Sequence, residues 1–347
     1  MIEVQNLTKT FADFTAVSDL SFRVSKGDVL GFLGPNGAGK STTMKMLVGF
    51  LRPSGGQIMV DGIDMVQDPL EGQKRLGYLP EGAPAWVEMT PREFLHFITA
   101  VRGLDKAAAH KALARAIDLT QLHNVLDQPI DTLSKGYRRR VGLAQAILHD
   151  PDILIMDEPT DGLDPNQKSH IRAAIKEMAT DTAIIVSTHI LEEVDAICTR
   201  AMIIDRGRHL ASGTPAELAA RSRYCGAVEV VVKASARAAV ATLLKAQFSD
   251  IECSDIECSD IEFPATKMTA SHGDNNNDTR FCVFAANKSG DESSPKIKAA
   301  DFLRLVQDCL APQQEALLAL SLQSGRLDDV FATLTAAPNT ATEKTVS

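Results

Sequence analysis

The run Gly34-Pro35-Asn36-Gly37-Ala38-Gly39-Lys40-Ser41 follows the pattern G-x-x-x-x-G-K-[ST], a spacing suited to holding phosphates. Its glycines let successive backbone N–H groups turn inward. A helix that opens at the lysine adds the partial positive charge of its N-terminus. Lys40 is then the candidate partner of the β- and γ-phosphates, and the Ser41 hydroxyl a candidate ligand of Mg²⁺. A second stretch carries acid: Ile153-Leu154-Ile155-Met156 leads into Asp157 and Glu158. Ligands of open α/β sheets gather at the carboxyl ends of strands. Asp157 is placed there to hold Mg²⁺ through water, and Glu158 to polarise an attacking water as general base.

Such residues need strands to carry them. Residues 2–7, 19–24, 28–33, 76–79, 153–156, 183–187 and 201–204 read as strands, the last four as short apolar runs buried on both faces. Helical stretches alternate with them at 40–50, 91–101, 106–118, 136–149, 165–180 and 191–198. Strands alternating with helices specify an α/β layer fold. The block from about 84 to 150 has no strand signal and reads as a helical insertion. Beyond residue 222, strands at 227–233, 280–286 and 315–322 alternate with helices at 236–247, 297–309 and 327–335. That order suits a small α+β domain of ferredoxin-like type.

The chain has 347 residues, 23% charged, with a net charge of -9. That length suggests two domains, and an acidic protein is a poor candidate for non-specific binding to nucleic acid. The charge is concentrated, however. A five-residue unit repeats in FSDIECSDIECSDIEF, and without its six carboxylates the net charge would be -3. A period of five suits neither helix nor strand, so the stretch from about 249 to 280 reads as an acidic low-complexity insertion. The six cysteines form no C-x-x-C pair and read as reduced cytosolic thiols. MIEVQNLTK is not a signal peptide, and no apolar run approaches the roughly 20 residues of a membrane span.

Further segments fall in a recognisable order. Leu133-Ser134-Lys135-Gly136-Tyr137 precedes a helix, Asp161-Gly162-Leu163-Asp164 follows Glu158, and Ser187-Thr188-His189 closes the strand at 183–187. With the two elements above, residues 1 to about 222 resemble the nucleotide-binding subunit of ATP-binding cassette (ABC) transporters. The resemblance implies an α/β fold, a P-loop NTPase cassette with a helical subdomain at about 84–150. A small C-terminal α+β domain at 223–337 and a disordered tail at 338–347 complete the chain.

The resemblance also assigns roles. Gly34, Pro35, Asn36, Gly37, Ala38, Gly39, Lys40, Ser41 and Thr42 would bind ATP, with Phe11 stacked on the adenine. Ser134, Lys135, Gly136 and Tyr137 would form the signature offered to the ATP of an opposite subunit, and Asp161 and Asp164 the D-loop. His189 would be the switch histidine beside the γ-phosphate, catalytic with Glu158 and Glu81. Ser41, Glu81 and Asp157 would serve Mg²⁺. Two departures stand out: Glu81 takes the place of a usual Gln, and SKGYR that of SGGQQ. Both are similar to cassettes that serve short permeases in export of drugs, lipids or polysaccharides, or in gliding motility. The ending GRLDDVFATLT is also similar to theirs.

The implied protein is an ATPase with ATP and Mg²⁺ as cofactors. It would form a homodimer with two ATPs in the interface. It would be cytoplasmic, held to the inner face of the membrane by an integral permease docked near Glu81 and the helical insertion. The alternative is a soluble ABC ATPase of DNA repair or translation. The absence of coiled-coil insertions, paired cassettes and basic surfaces counts against it, and no nucleic acid partner is expected. Arg138, Arg139 and Arg140 read as a solvated face.

Overall fold

A computed structural model describes residues 1–82, 85–247, 253–255, 279–284 and 299–336. Most of the acidic insertion and the tail at 338–347 lie outside them. The chain divides into two compact units, Met1–Ala216 and Glu217–Ser347.

The first unit opens with an antiparallel pair, β1 (Ile2–Phe11) and β2 (Phe14–Val24), then β3 (Val29–Leu33) and α1 (Lys40–Leu47). Next come β4 (Gly55–Val60), β5 (Ile63–Asp64), α2 (Pro69–Lys74) and β6 (Leu76–Leu79). A helical block follows: α3 (Pro91–Val101), α4 (Lys106–Thr120) and α5 (Lys135–Ile147). The chain then returns through β7 (Ile153–Asp157), α6 (Pro165–Met178), β8 (Ala183–Thr188), α7 (Leu191–Ile197), β9 (Arg200–Asp205) and β10 (Arg208–Gly213), and the boundary between the units falls within α8 (Pro215–Ala219).

Two sheets result. One is antiparallel, in the order β2-β1-β4-β5; the other runs β10-β9-β3-β8-β7-β6 and is parallel except for β10. Every residue of β3, β7 and β8 is buried, as continuous apolar runs require of strands covered on both sides. The core takes Ile2, Val4 and Leu7 from the first sheet, Phe32, Ile155 and Ile185 from the second, and Met44, Met46 and Leu47 from α1. Each such side chain contributes about 1.5–3 kcal/mol through burial.

Three local features differ from the sequence expectation. The first helix stops at Leu47 rather than Phe50, because Gly49 takes a φ of 73° and the N–H groups of Phe50 and Leu51 turn back to the Lys45 carbonyl. Strand β4 is not among the strands read from the sequence; it begins with Gly55 and Gly56, and a Cβ on Gly56 would lie 2.4 Å from the Asn6 carbonyl of β1, so the strand needs glycine there. Arg139 and Arg140 are not on a solvated face but buried, at 5% and 7% exposure. They lie on the α5 stripe that also buries Gly136 and Leu143.

The second unit contains β11 (Val228–Val232), α9 (Arg237–Gln247), β12 (Cys253–Asp255), β13 (Thr279–Val283), α10 (Ala299–Cys309), β14 (Leu317–Leu322) and α11 (Leu327–Ala336). The sheet order is β12-β13-β11-β14 with every pair antiparallel, the ferredoxin-like βαββαβ arrangement with α11 added. Strand β12 lies inside the acidic repeat, where the sequence pattern gives no strand. Val228, Val230 and Val232 alternate inward to meet Val240, Leu244, Phe302 and Val306 of the two helices. Residues 217–222 group with this unit: the Ser222 hydroxyl donates to Asp329 at 2.8 Å and the Arg223 N–H at 3.0 Å.

Candidate active site

Four neighbouring strands deliver the candidate residues. In the parallel sheet, Leu33 of β3 pairs with Thr188 of β8, Ser187 of β8 with Asp157 of β7, and Met156 of β7 with Leu79 of β6. The segments that follow, 34–41, His189, Glu158 and Glu81, therefore leave the sheet along one edge, at strand carboxyl ends.

The loop after β3 is shaped by close approach. A Cβ on Gly34 would lie 2.5 Å from the Ile204 carbonyl, and one on Gly39, whose φ is 100°, 2.6 Å from the Ala16 carbonyl. Asn36 and Gly37 are exposed, while Ala38 is buried and Pro35, Ser41 and Thr42 are half-buried at the start of α1. Lys40 is only 6% exposed. Its Nζ donates to the carbonyls of Gly34 at 2.7 Å and Pro35 at 3.2 Å. Burial pushes the Lys40 ammonium below its ordinary pKa, opposed by the charges of Glu158, Asp157 and Glu81. Those four side chains thus share one electrostatic neighbourhood.

Asp157 is 2% exposed and accepts a short hydrogen bond from the Ser187 hydroxyl. Glu158 has a φ of 51°, the left-handed region that side chains enter at a cost. Its N–H donates at 3.1 Å to both the Ser187 carbonyl and the Ser187 hydroxyl. Glu158 Oε1 lies 3.0 Å from His189 Nδ1. Behind His189, the Thr188 hydroxyl donates to buried Glu193 at 3.0 Å, and burial raises the Glu193 carboxyl pKa. Glu81 is exposed in the turn after β6.

The segment 133–137 contacts the segment 161–167 of its own chain. Ser134 caps α5, accepting from the Tyr137 N–H at 3.3 Å. The Lys135 ammonium binds Asp161 at 2.7 Å and holds that carboxyl below the usual range. The Lys135 stem crosses Gly162, where a Cβ would lie 2.4 Å from Nζ. Gly136 is covered by the Gln167 side chain, and Asp164 caps α6, accepting from the Gln167 N–H at 2.8 Å. Phe11 stands apart at the end of the β1–β2 hairpin, 45% exposed, with Lys9 Nζ 5.0 Å from its ring centre.

Sequence reasoning missed Arg139 and Ser187. Arg139 donates to the carbonyls of Pro80 at 2.9 Å and Pro159 at 3.3 Å, and makes short bonds to those of Asp157 and Glu158. Helical spacing from Gly136 to Leu143 was the available signal for its burial.

The family model for ABC transporters matches residues 17–161. The chain is 37% identical over 226 residues to the probable multidrug ABC transporter ATP-binding protein YbhF of Escherichia coli (strain K12), covering 64% of this chain and 38% of that protein. It is 35% identical over 222 residues to the linearmycin resistance ATP-binding protein LnrL of Bacillus subtilis (strain 168), covering 64% and 71%. Over 230 residues it is 35% identical to the Nod factor export ATP-binding protein I of Burkholderia lata, covering 66% and 76%. The chain thus spans well under half the length of the first of these relatives. A solved ATP-binding subunit of an ABC transporter superposes with a TM-score of 0.59 at 30% identity, covering 63% of this chain and 91% of that one. A dimeric ATP-binding cassette in a post-hydrolysis state, bound to ADP and Pi, shares the fold at a TM-score of 0.58 and 19% identity, covering 62% and 99%. With the P-loop NTPase cassette fold and the ordered motifs on one sheet edge, these matches show that the chain belongs to the ATP-binding proteins of ABC transporters.

Proposed function

We propose that the chain hydrolyses ATP to drive a separate membrane permease in export. The carrying observation is the Glu158–His189 contact of 3.0 Å on the sheet edge that also bears the phosphate loop. Glu158 takes the proton of the attacking water, and His189 orients it beside the γ-phosphate. Lys40 moves from the loop carbonyls to the β- and γ-phosphates, an exchange of one set of oxygens for another. Ser41 and Asp157 supply hard oxygen donors, with Glu81 nearby, which suits Mg²⁺: that ion takes one or two carboxylates and completes its shell with phosphates and water. When bound, it neutralises charge developing on the phosphates. Among the described residues no group of three His, Cys, Asp or Glu could hold a metal unaided.

In this reading the signature does not serve its own phosphate loop. Ser134 and Gly136 serve the ATP of a second copy, and two ATPs are closed in the dimer interface. Phe11 supplies an exposed face for the adenine. The permease docks on the helical block beside Glu81. There Trp86, 54% exposed, packs edge-on to Phe97 at 4.6 Å, and Val87 and Val101 are also exposed. No helix among the described residues is long and apolar enough to cross a membrane. The exporter direction draws on the names of the relatives in multidrug resistance and Nod factor export. The Glu158→Gln variant should retain ATP binding, lose steady-state hydrolysis and accumulate as a dimer with ATP; unchanged turnover overturns the reading. Co-expression with a neighbouring permease gene should bring the chain into the membrane fraction, and Trp86→Asp should release it.

A further inference from the structure

Glu158 carries its side chain on a backbone that a non-glycine residue adopts only under constraint, and the constraint is visible. The φ and ψ of a residue are the relative orientation of its two flanking peptide planes. Arg139 donates to the carbonyl of Asp157, on one side of Glu158, and to the carbonyl of Glu158 itself, on the other. It also reaches the next carbonyl, Pro159, at 3.3 Å. One planar group therefore holds both planes that define the left-handed turn. The remaining arm, Nη1, donates at 2.9 Å to the carbonyl of Pro80, the residue before Glu81.

A guanidinium suits this place because it offers five N–H donors in a rigid fork. Glutamine offers two donors, and lysine three that rotate freely. Arg139 is buried, and among the described residues its hydrogen-bond partners are the main-chain oxygens of Pro80, Asp157, Glu158 and Pro159. The charges of Asp157, Asp161, Glu158 and Glu81 favour its cationic form against the cost of burial. Asp157 is meanwhile fixed from the other side by Ser187. Arg139 projects from α5, five residues after the Ser134 cap.

We infer that Arg139 is the positioning residue of the hydrolytic site: it sets the backbone of Glu158, aims its carboxylate at His189, and ties it to the loop that carries Glu81. Any rotation of α5 is thereby passed to the base of the same chain. A ligand that engages Ser134 and Gly136 acts on the aim of Glu158. The inference rests on the assignment of Glu158 as base.

The test uses the full chain and compares Arg139→Gln and Arg139→Lys with Glu158→Gln. Both Arg139 variants should lower kcat at least tenfold while the Kd for ATP changes less than threefold, with Arg139→Lys retaining more turnover than Arg139→Gln. The ring ¹⁵N resonances of His189 should move in Arg139→Gln in the direction seen in Glu158→Gln. A kcat within twofold of the parent, or unmoved His189 resonances, overturns the inference. If Glu158→Gln keeps full turnover while the His189 resonances still follow Arg139, the base assignment fails and the positioning stands. Wild-type protein provides a measurement that does not depend on a variant folding. The Arg139 Nη protons should be resolved, slow in rotation and protected from exchange; averaged, fast-exchanging signals overturn the inference.

Discussion

Glu158 and His189 meet at 3.0 Å although 31 residues separate them in the chain, because β7 and β8 pair with Asp157 opposite Ser187. The two residues act on the same water in the proposed reaction. His189→Ala should lower kcat by about 10²–10⁴-fold, the range for a proton-transfer partner. Combined with Glu158→Gln it should add little further loss, since residues that act as a unit are not additive. Single-turnover ATP hydrolysis checks both, and full additivity would count against a shared role.

Lys40 should separate binding from stability. Its ammonium is buried and pushed toward the neutral form chiefly by desolvation, so the fold gains little from it. Lys40→Ala should weaken ATP binding at least about 100-fold, some 2.7 kcal/mol. Its Tm should stay level or rise. A Tm lower by many degrees would show that the two carbonyl contacts stabilise the loop.

His149 should give the fold a pH dependence. It is half-buried, its Nε2 donates to the Leu76 carbonyl at 3.0 Å, and its buried Nδ1 has no hydrogen-bond partner among the described residues. Burial, with the Arg102 charge second, lowers its pKa from 6.5 to about 4. The unfolded chain therefore takes up a proton at a pH where the folded chain does not. Stability is full above about 6.5, falls as pH drops toward 4 and levels below it, a loss of up to about 3 kcal/mol from this group. Urea unfolding from pH 7.5 to 4.5 should show a shallower slope in His149→Gln; identical slopes would sink the assignment.

The Lys135–Asp161 pair should be weak by itself. Both partners are exposed, so a double-mutant cycle with Lys135→Met and Asp161→Asn should give about 0.2–1 kcal/mol at low salt, less in 0.5 M NaCl. The Asp161 carboxyl is held low, so its contribution is present above about 3.8 and disappears as pH falls through its lowered value. A coupling that ignores salt would mean that packing across Gly162, rather than charge, links the signature to the D-loop.

The order of motifs was legible because each is local: the glycines, lysine and serine of 34–41 lie within eight positions, and apolar runs mark the buried strands. The ferredoxin-like order was legible from alternation at 227–233 and from the succession of strands and helices after it. Arg139 was not, because its partners lie 18 to 59 residues away, and three arginines in a row look solvated until helical spacing sorts them. Strand β4 was hidden by Gly55 and Gly56, whose flexibility serves a close approach to β1 that only the paired sheet reveals.

Strands β3, β8, β7 and β6 are bonded in fixed register and each releases one part of the site at its end. With strands about 4.8 Å apart, the phosphate loop, His189, Glu158 and Glu81 form a graduated series across the sheet. A residue inserted in one strand would shift its part by about 3.3 Å against the others and reverse its inward side chains. The lengths of these four strands are therefore closed to insertion and deletion. Chemistry at this site can diverge by exchange of side chains beyond the strand ends, as Glu81 illustrates, while length variation is confined to the connections between these strands.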